Sequence, residues 1–453
     1  MTCMVRAIGL GLLVLGGGCD LKTPSDPPPQ PSLDVELRQN LERWGVLPIG
    51  PMPPQDPALV GLGQALMFDR ILSGNRDIAC ATCHHPSTHL ADGLSLSIGT
   101  GGTGLGPLRT LGPGRQFVPR SAPSLLNSGL GLVYLFWDGR IRGFGSGPFE
   151  TPAGFVLPPG LPNILAAQAM FPVLNRREMR GEPGDRDVFG NQNELAQFGD
   201  SQLVEIWQAV MRRLLAIPDY QAMFSAAFPG IPAGQLGFQH AATAIAAFEM
   251  QAFTKTGSPL DRYLARDDAA LTTQAKRGAL LFFGKAQCSN CHNSPLLGGF
   301  SFANVGVPQL GPGTGRGAPL DFGFGDVIDQ EFYRFAFRAP PLRNVELTAP
   351  YTHDGAYATL EAVVRHYNDV PLALRTYDVS QLAPPLRGTH HGDQATIDAV
   401  LSTLDGRLRE PLGLTDAEIR AIVTFLKSLT DPAARDLSAL RPARVPSGLP
   451  LPD

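Results

Sequence analysis

Two pentapeptides carry the chemistry of this chain: Cys80-Ala81-Thr82-Cys83-His84 and Cys288-Ser289-Asn290-Cys291-His292. In each, a pair of thiols can bond the two vinyl groups of one porphyrin while the adjoining imidazole ligates its iron. The motifs use four of the six cysteines and leave Cys3 and Cys19 near the N-terminus. A redox dithiol has no need of a His beside its second Cys, and a four-Cys zinc site usually brings its pairs much closer in sequence. Two covalently bound haem c groups are therefore expected. Cys80, Cys83, Cys288 and Cys291 would form the thioethers, and His84 and His292 would ligate iron.

Length and composition bound what can surround these motifs. The 453 residues suffice for two or three domains, and 43% hydrophobic content supports buried cores. With 37 basic and 41 acidic residues the net charge is -4, and no clustered basic surface speaks for nucleic acid. The 51 Gly and 42 Pro fall below the share that marks disorder, so long ordered loops are expected among helices. Arg6, the apolar run 7–15, and Gly16-Gly17-Gly18-Cys19 have the layout of an export signal over residues 1–19. Small residues ending at Cys19 resemble a bacterial lipoprotein signal, with ordinary cleavage as the alternative. Either outcome predicts the periplasm, with a lipid on Cys19 as the sole membrane attachment. Residues 20–56, rich in Pro, read as a stiff tether interrupted by one short helical pattern over 33–44.

The motifs must be held by helices. Leu59, Leu62, Ala65 and Leu66 form one stripe of a helix over 57–68 that leads into the first motif. Strong helical patterns cover 201–217 and 235–254, ended by Pro218 and by Gly257-Ser258-Pro259. A helix ending at Phe283 leads into the second motif, followed by a helix over 360–368. The last helix begins on the capping box Thr415-Asp416-Ala417-Glu418. These elements divide the chain into an N-terminal haem domain (57–255), a C-terminal haem domain (256–432) and a tail (433–453).

Further stretches recur in an order that resembles one known family. They are Phe68-Asp69-Arg70, Ala91-Asp92-Gly93, Ser97-Ile98-Gly99, Pro119-Arg120-Ser121-Ala122-Pro123, Phe136-Trp137-Asp138-Gly139-Arg140, Pro341-Leu342-Arg343-Asn344-Val345 and Leu347-Thr348-Ala349-Pro350-Tyr351. With the two haem motifs they resemble the bacterial dihaem cytochrome c peroxidases and the MauG-like enzymes related to them. The resemblance implies a mainly α fold of two cytochrome c-like haem domains packed face to face, joined by long Gly/Pro-rich loops. It implies that hydrogen peroxide meets the N-terminal haem, and that the C-terminal haem stores or supplies an oxidising equivalent. It also implies a catalytic Glu with a Gln ten residues and a Pro six residues before it, a register kept by Gln168, Pro172 and Glu178. Glu178 would shuttle the peroxide proton, Gln168 would orient the peroxide, and Trp137 would relay charge between the irons. The bland alternatives are a surface Glu178 neutralised by Arg176, Arg177 and Arg180, and a Trp137 that merely fills the core.

Two departures bear on the subtype. Where the ordinary peroxidases carry a His that caps the N-terminal iron, this chain has Thr100, a poor ligand for haem iron. That haem should be open, unless His89 on its loop reaches the iron; His85 is too close to the proximal ligand to do so. On the far side of the C-terminal haem, the family's Met position is Tyr367. Helix spacing puts Tyr367 on one stripe with Leu360, Val363 and Val364 and turns the competing His366 about 100° away. An anionic phenolate favours the higher oxidation states of iron and a low potential. The resemblance also implies Ca²⁺ between the domains at Thr348, Pro350 and Ser121, although Ser121 replaces an Asn and is a weaker ligand. Arg120, Arg140, Arg338 and Arg343 are candidates for pairing with haem propionates, and His353 and Asp354 for contacting a propionate or its waters.

Three functions are weighed on these residues. The first is a MauG-like peroxide-dependent oxidoreductase that oxidises a residue of a substrate protein through Trp137 and the C-terminal haem. The second is a detoxifying cytochrome c peroxidase fed by a small cytochrome or copper protein. The third is a plain dihaem electron carrier, against which an open iron beside Glu178 argues.

Overall fold

The computed structural model describes residues 32–452. The expected signal over 1–19, Cys19 and the first part of the tether lie outside the described residues. Helix α1 (Leu33–Arg43) precedes two helical modules. The first holds α2 (Pro57–Phe68), α3 (Cys80–Cys83), α4 (Ile164–Ala169), α5 (Leu203–Leu215), α6 (Pro218–Ala227) and α7 (Phe238–Ala252). The second holds α8 (Pro259–Leu264), α9 (Thr273–Phe283), α10 (Phe324–Ile328), α11 (Leu360–Asn368), α12 (Val370–Arg375), α13 (Gln394–Ser402) and α14 (Asp416–Lys427). Strand is confined to two short antiparallel pairs, β1 (Tyr134–Leu135) with β2 (Ile141–Arg142) and β3 (Phe302–Ala303) with β4 (Phe337–Arg338). Among the described residues no helix is long and apolar enough to cross a membrane.

Both modules are built around the same crossing. The helix ahead of each haem motif carries one glycine at the point where a later helix passes. A Cβ on Gly63 of α2 would lie 2.0 Å from the Ala244 carbonyl oxygen of α7. One on Gly278 of α9 would lie 1.9 Å from that of Ala421 on α14. Only an absent side chain permits such backbone approach. The helix starts are set locally. Asp56 accepts the N–H groups of Ala58 and Leu59 ahead of Pro57, and Thr415 and Glu418 form the expected capping box. Leu62 and Leu66 of α2 pack with Ala241 and Ile245 of α7 and with Trp207 of α5 in the first core. In the second, Phe282 of α9 meets Phe425 of α14 edge to face, with ring centroids 5.3 Å apart.

The structure adds to the expected organisation of the chain at three places. The described part of the stretch read as a tether is docked: Leu37, Leu41 and Val46 are buried in the second core, and the Trp44 carbonyl accepts the Ser294 N–H. Pro218 ends α5 but also opens α6 at its first position, where a missing N–H costs nothing. The tail returns to the first module, where Ala434, Leu437, Val445 and Leu451 pack with Met67, Phe68, Ala81 and Leu90. Its Ser447 hydroxyl donates to Asp69 Oδ1 at 2.6 Å, and Arg70 donates to the Leu451 carbonyl at 2.9 Å.

Candidate active site

Both Cys-x-x-Cys-His motifs open into one cavity of about 1720 Å³ that runs between the modules. His84 Nδ1–H donates to the Leu90 carbonyl at 2.9 Å, and His292 Nδ1–H to the Leu297 carbonyl at 3.0 Å. A carbonyl only accepts, so each ring keeps its Nε2 lone pair free, and burial lowers both pKa values and keeps the rings neutral. Burial pushes the Cys80 and Cys288 thiols up to about 12 and raises Cys83 and Cys291 as well. Paired thiols, a neutral imidazole with its lone pair free, and a shared apolar space suit two c-type haems.

On the first-motif side, Gln168 lies near the end of α4, Pro172 opens the next turn, and Glu178 sits in a π-helical turn over 176–180. All three line the cavity with His84. Buried Trp207 donates from Nε1 to the Met170 carbonyl at 2.7 Å and so fixes the link between Gln168 and Pro172. The Glu178 turn is held by its backbone: Thr100 N–H donates to the Glu178 carbonyl at 2.8 Å. A Cβ on Gly99 would come within 1.9 Å of the Arg177 carbonyl oxygen. Burial raises the Glu178 pKa, opposed by the positive charges of Arg140 and Arg120. Arg176 and Arg180 bind Asp200 instead, so the picture of a Glu178 neutralised by those two flanking arginines does not hold.

Neither residue weighed as a cap for the first iron faces the cavity. The Thr100 hydroxyl donates to Asp77 Oδ1 at 2.8 Å. His89 donates from Nδ1 to the Ala434 carbonyl of the tail at 3.2 Å.

On the second-motif side, Tyr367 lines the cavity with Leu360, Val363 and Val364, the stripe predicted from spacing. Burial and the nearby thiols raise its pKa. His366 is turned into the protein, where its Nε2–H donates to the Val305 carbonyl and Nδ1 accepts from the Tyr357 hydroxyl, each at 2.7 Å. Burial pushes the His366 pKa down to about 4.

Between the motifs, Trp137 lines the cavity and donates from Nε1 to the Ser121 carbonyl at 2.9 Å. Arg120 is not available to a propionate. It bridges Asp138 at 2.5 Å and Asp321 at 2.6 Å, all three buried, and its charge holds both carboxylates below their ordinary range. Arg140 shares Asp138 and lies over the Phe136 ring, and Arg343 is bound to Asp261 and the Pro295 carbonyl. Arg338 Nη1 and Arg343 Nη2 are nevertheless buried without a partner beside the cavity, and burial lowers both pKa values, that of Arg338 to about 10. His353, stacked 3.5 Å from Phe337, also has an unpartnered Nδ1, and Asp354 an unpartnered Oδ2. Burial takes His353 down to about 3 and Asp354 up to about 8. Arg338 and His353 thus fit an anionic group entering from the cavity, as a haem propionate would.

Ser121, Thr348 and Pro350 line the same space, and the Ser121 hydroxyl donates to the Thr352 carbonyl at 3.4 Å. Among the described residues no cluster of three or more His, Cys, Asp or Glu side chains is arranged to hold a metal ion. Asn175 escaped the sequence reading: it accepts the Arg177 and Glu178 N–H groups and donates to Glu178 Oε1. Its position three residues before an acidic side chain in a turn is the signal that was there to read.

Residues 57–269 match the model of the di-haem cytochrome c peroxidase family. The chain is similar to the methylamine utilization protein MauG of Methylorubrum extorquens, 31% identical over 73% of this chain and 74% of that one. It is 30% identical to the cytochrome c551 peroxidase of Nitrosomonas europaea over 77% of this chain and 84% of that one. Among solved structures, a MauG-like protein associated with microbial copper homeostasis superposes with a TM-score of 0.58 at 26% identity, over 88% of this chain and 97% of that one.

Proposed function

The chain belongs to the di-haem cytochrome c peroxidase family, and from that premise we propose that it is a MauG-like enzyme. Membership makes it an oxidoreductase that carries two c-type haems and acts on hydrogen peroxide with redox-protein partners. In the proposed reading, oxidising power drawn from peroxide passes to an aromatic residue of a substrate protein. When bound, the haems would supply iron that exchanges electrons, and neither Thr100 nor His89 is placed to cap the first of them.

Glu178 acts as general base and then acid: it takes the proton from the near oxygen of peroxide and returns it to the far one, so that water leaves. A raised pKa suits a group that must hold a proton between two steps. Gln168 orients the peroxide and Pro172 shapes the wall between them. Trp137, in the cavity between the two motifs, relays charge. His84 and His292 would hold the irons, and Arg338 would take a propionate.

The observation that carries the MauG-like reading is Tyr367, which faces the second haem space while His366 is tied off by two hydrogen bonds. A phenolate there favours storage of oxidising equivalents over electron entry. Reduction of peroxide to water by a small electron-donor protein is the second reading, because the Glu178 constellation serves both. Absorption and EPR spectra of the ferric protein, before and after peroxide is added without reductant, separate them. A high-spin site that reacts at once to give a long-lived species two equivalents above rest is expected. No reaction until the protein is half-reduced would favour the second reading, and two inert low-spin haems would sink both.

We place the boundary between haem domains at 255/256, the tail after 432, and the mature protein in the periplasm, lipidated at Cys19. Ca²⁺ between the domains would use Ser121, Thr348 and Pro350; this donor set is neutral, so carbonyl oxygens and water would have to complete it. Calcium chelation that leaves both haem spectra unchanged would remove the ion from the reading.

A further inference from the structure

A row of rings leads away from the second haem space. The His366 ring centroid lies 5.5 Å from that of Tyr367 and 4.9 Å from that of Tyr357. Tyr357 is 5.6 Å from Tyr377, which is 5.1 Å from His390. Tyr367 faces the cavity, Tyr357 is buried, and Tyr377 and His390 are half-buried beside exposed Asp378 and Arg387. Every step is a contact between neighbouring rings, and electron tunnelling falls off exponentially with distance.

One member of the row has a proton acceptor built in. The Val305 carbonyl can only accept, so His366 carries its hydrogen on Nε2, and Nδ1 takes the hydrogen bond from the Tyr357 hydroxyl at 2.7 Å. Phenol oxidation is strongly uphill unless the proton leaves with the electron, and here the proton has somewhere to go. The Tyr377 hydroxyl donates to the Ala356 carbonyl, which is no base, so its ring serves as a bridge.

We infer that Tyr357 is a redox-active tyrosine and that Tyr357 and Tyr377 form the exit by which oxidising equivalents reach the surface from the second haem. The inference rests on the reading above, in which that haem becomes oxidised by peroxide. Tyr357 gives one electron inward past His366 and Tyr367 to the oxidised haem, and its phenolic proton to His366 Nδ1, leaving a neutral radical. An oxidisable aromatic side chain of the substrate protein, docked at Tyr377, then supplies one electron across the Tyr377 ring, and His366 returns the proton. The net change is one electron from substrate to haem. Trp137 lies between the haem motifs and does not serve this outward step.

The test uses the full holoprotein, hydrogen peroxide and no donor, followed by optical and EPR spectroscopy. The wild type should form the oxidised haem species and then a tyrosyl radical whose EPR signal narrows on labelling with ring-deuterated tyrosine. Tyr357→Phe should form the haem species at the wild-type rate, lack the radical, and lose the haem species several-fold more slowly. Tyr377→Leu should keep the radical and prolong its life when ferrocyanide is added as donor. A radical unchanged in Tyr357→Phe, or one that tyrosine labelling does not narrow, would overturn the relay. That result leaves the MauG-like reading standing, whereas absence of the oxidised haem species in the wild type would remove both.

Discussion

Asn175 grips Glu178 at both ends: its Oδ1 accepts the Glu178 N–H at 3.2 Å, and its Nδ2 donates to Glu178 Oε1 at 2.9 Å. One side chain thereby sets the turn and the carboxylate orientation together. Asn175→Ala should lower stability by about 1 kcal/mol, the usual cost of losing such a cap. It should also slow the reaction with peroxide while leaving both haem spectra in place. Thermal unfolding and stopped-flow mixing read the two effects separately.

Glu178→Gln keeps the shape and removes the proposed proton shuttle. Its peroxide reaction should slow by roughly 10²- to 10⁴-fold, the range a positioned acid-base contributes. The wild-type rate should fall with acidity at a pH above the ordinary glutamate value of 4.5, because burial raises this pKa and the base must first be deprotonated. That acid limb should be missing from the variant. A limb that survives in Glu178→Gln would assign it to another group.

In the proposed reading, Tyr367→Met exchanges a hard anionic donor for a neutral thioether. The potential of the second haem should rise by some tenths of a volt, within the roughly 0.8 V that axial ligands span. Potentiometric titration of the two haems measures it. A first-haem potential that moves equally would mean the side chain acts on the interface and not on one iron.

Arg120 holds two buried carboxylates 183 positions apart in the chain, Asp138 and Asp321. Arg120→Ala strands Asp321, leaves Asp138 with Arg140 alone, and should cost about 3–5 kcal/mol. The folded pKa values of Asp138 and Asp321 lie below the ordinary aspartate value of 3.8. Below 3.8 the unfolded chain therefore binds protons that the folded chain does not. The stabilisation is present above 3.8 and is lost as pH falls through the folded values. Without Arg120, burial would push Asp321 upward and Asp138 would keep only Arg140 to oppose it, so acid unfolding should begin at a higher pH. Denaturant titrations across the acid range follow the shift.

What could be read in advance was local. The stripe of Leu360, Val363, Val364 and Tyr367 follows from helical period, and the cap at Thr415 from residue type. The haem motifs need only five consecutive residues each. What could not be read depends on pairing across the chain. Nothing near Arg120 points to Asp321, so a buried ion network passed for a set of propionate partners. His89 could be released from the iron only by the tail carbonyl it binds, 345 positions on. Pro218 was half legible, since a proline that stops one helix is equally fit to start another.

The two ends of the described chain are exchanged: α1 is buried in the module of the second haem motif, and the final residues clasp that of the first. Ser447 reaches Asp69 across 378 positions. During synthesis the first motif emerges early, and the residues that pack on Ala81 and Leu90 come hundreds of positions later. The packing around Ala81 and Leu90 is therefore completed only once residues 434–451 have been made. Covalent loading can come first, with the final fastening of the molecule following as a separate event.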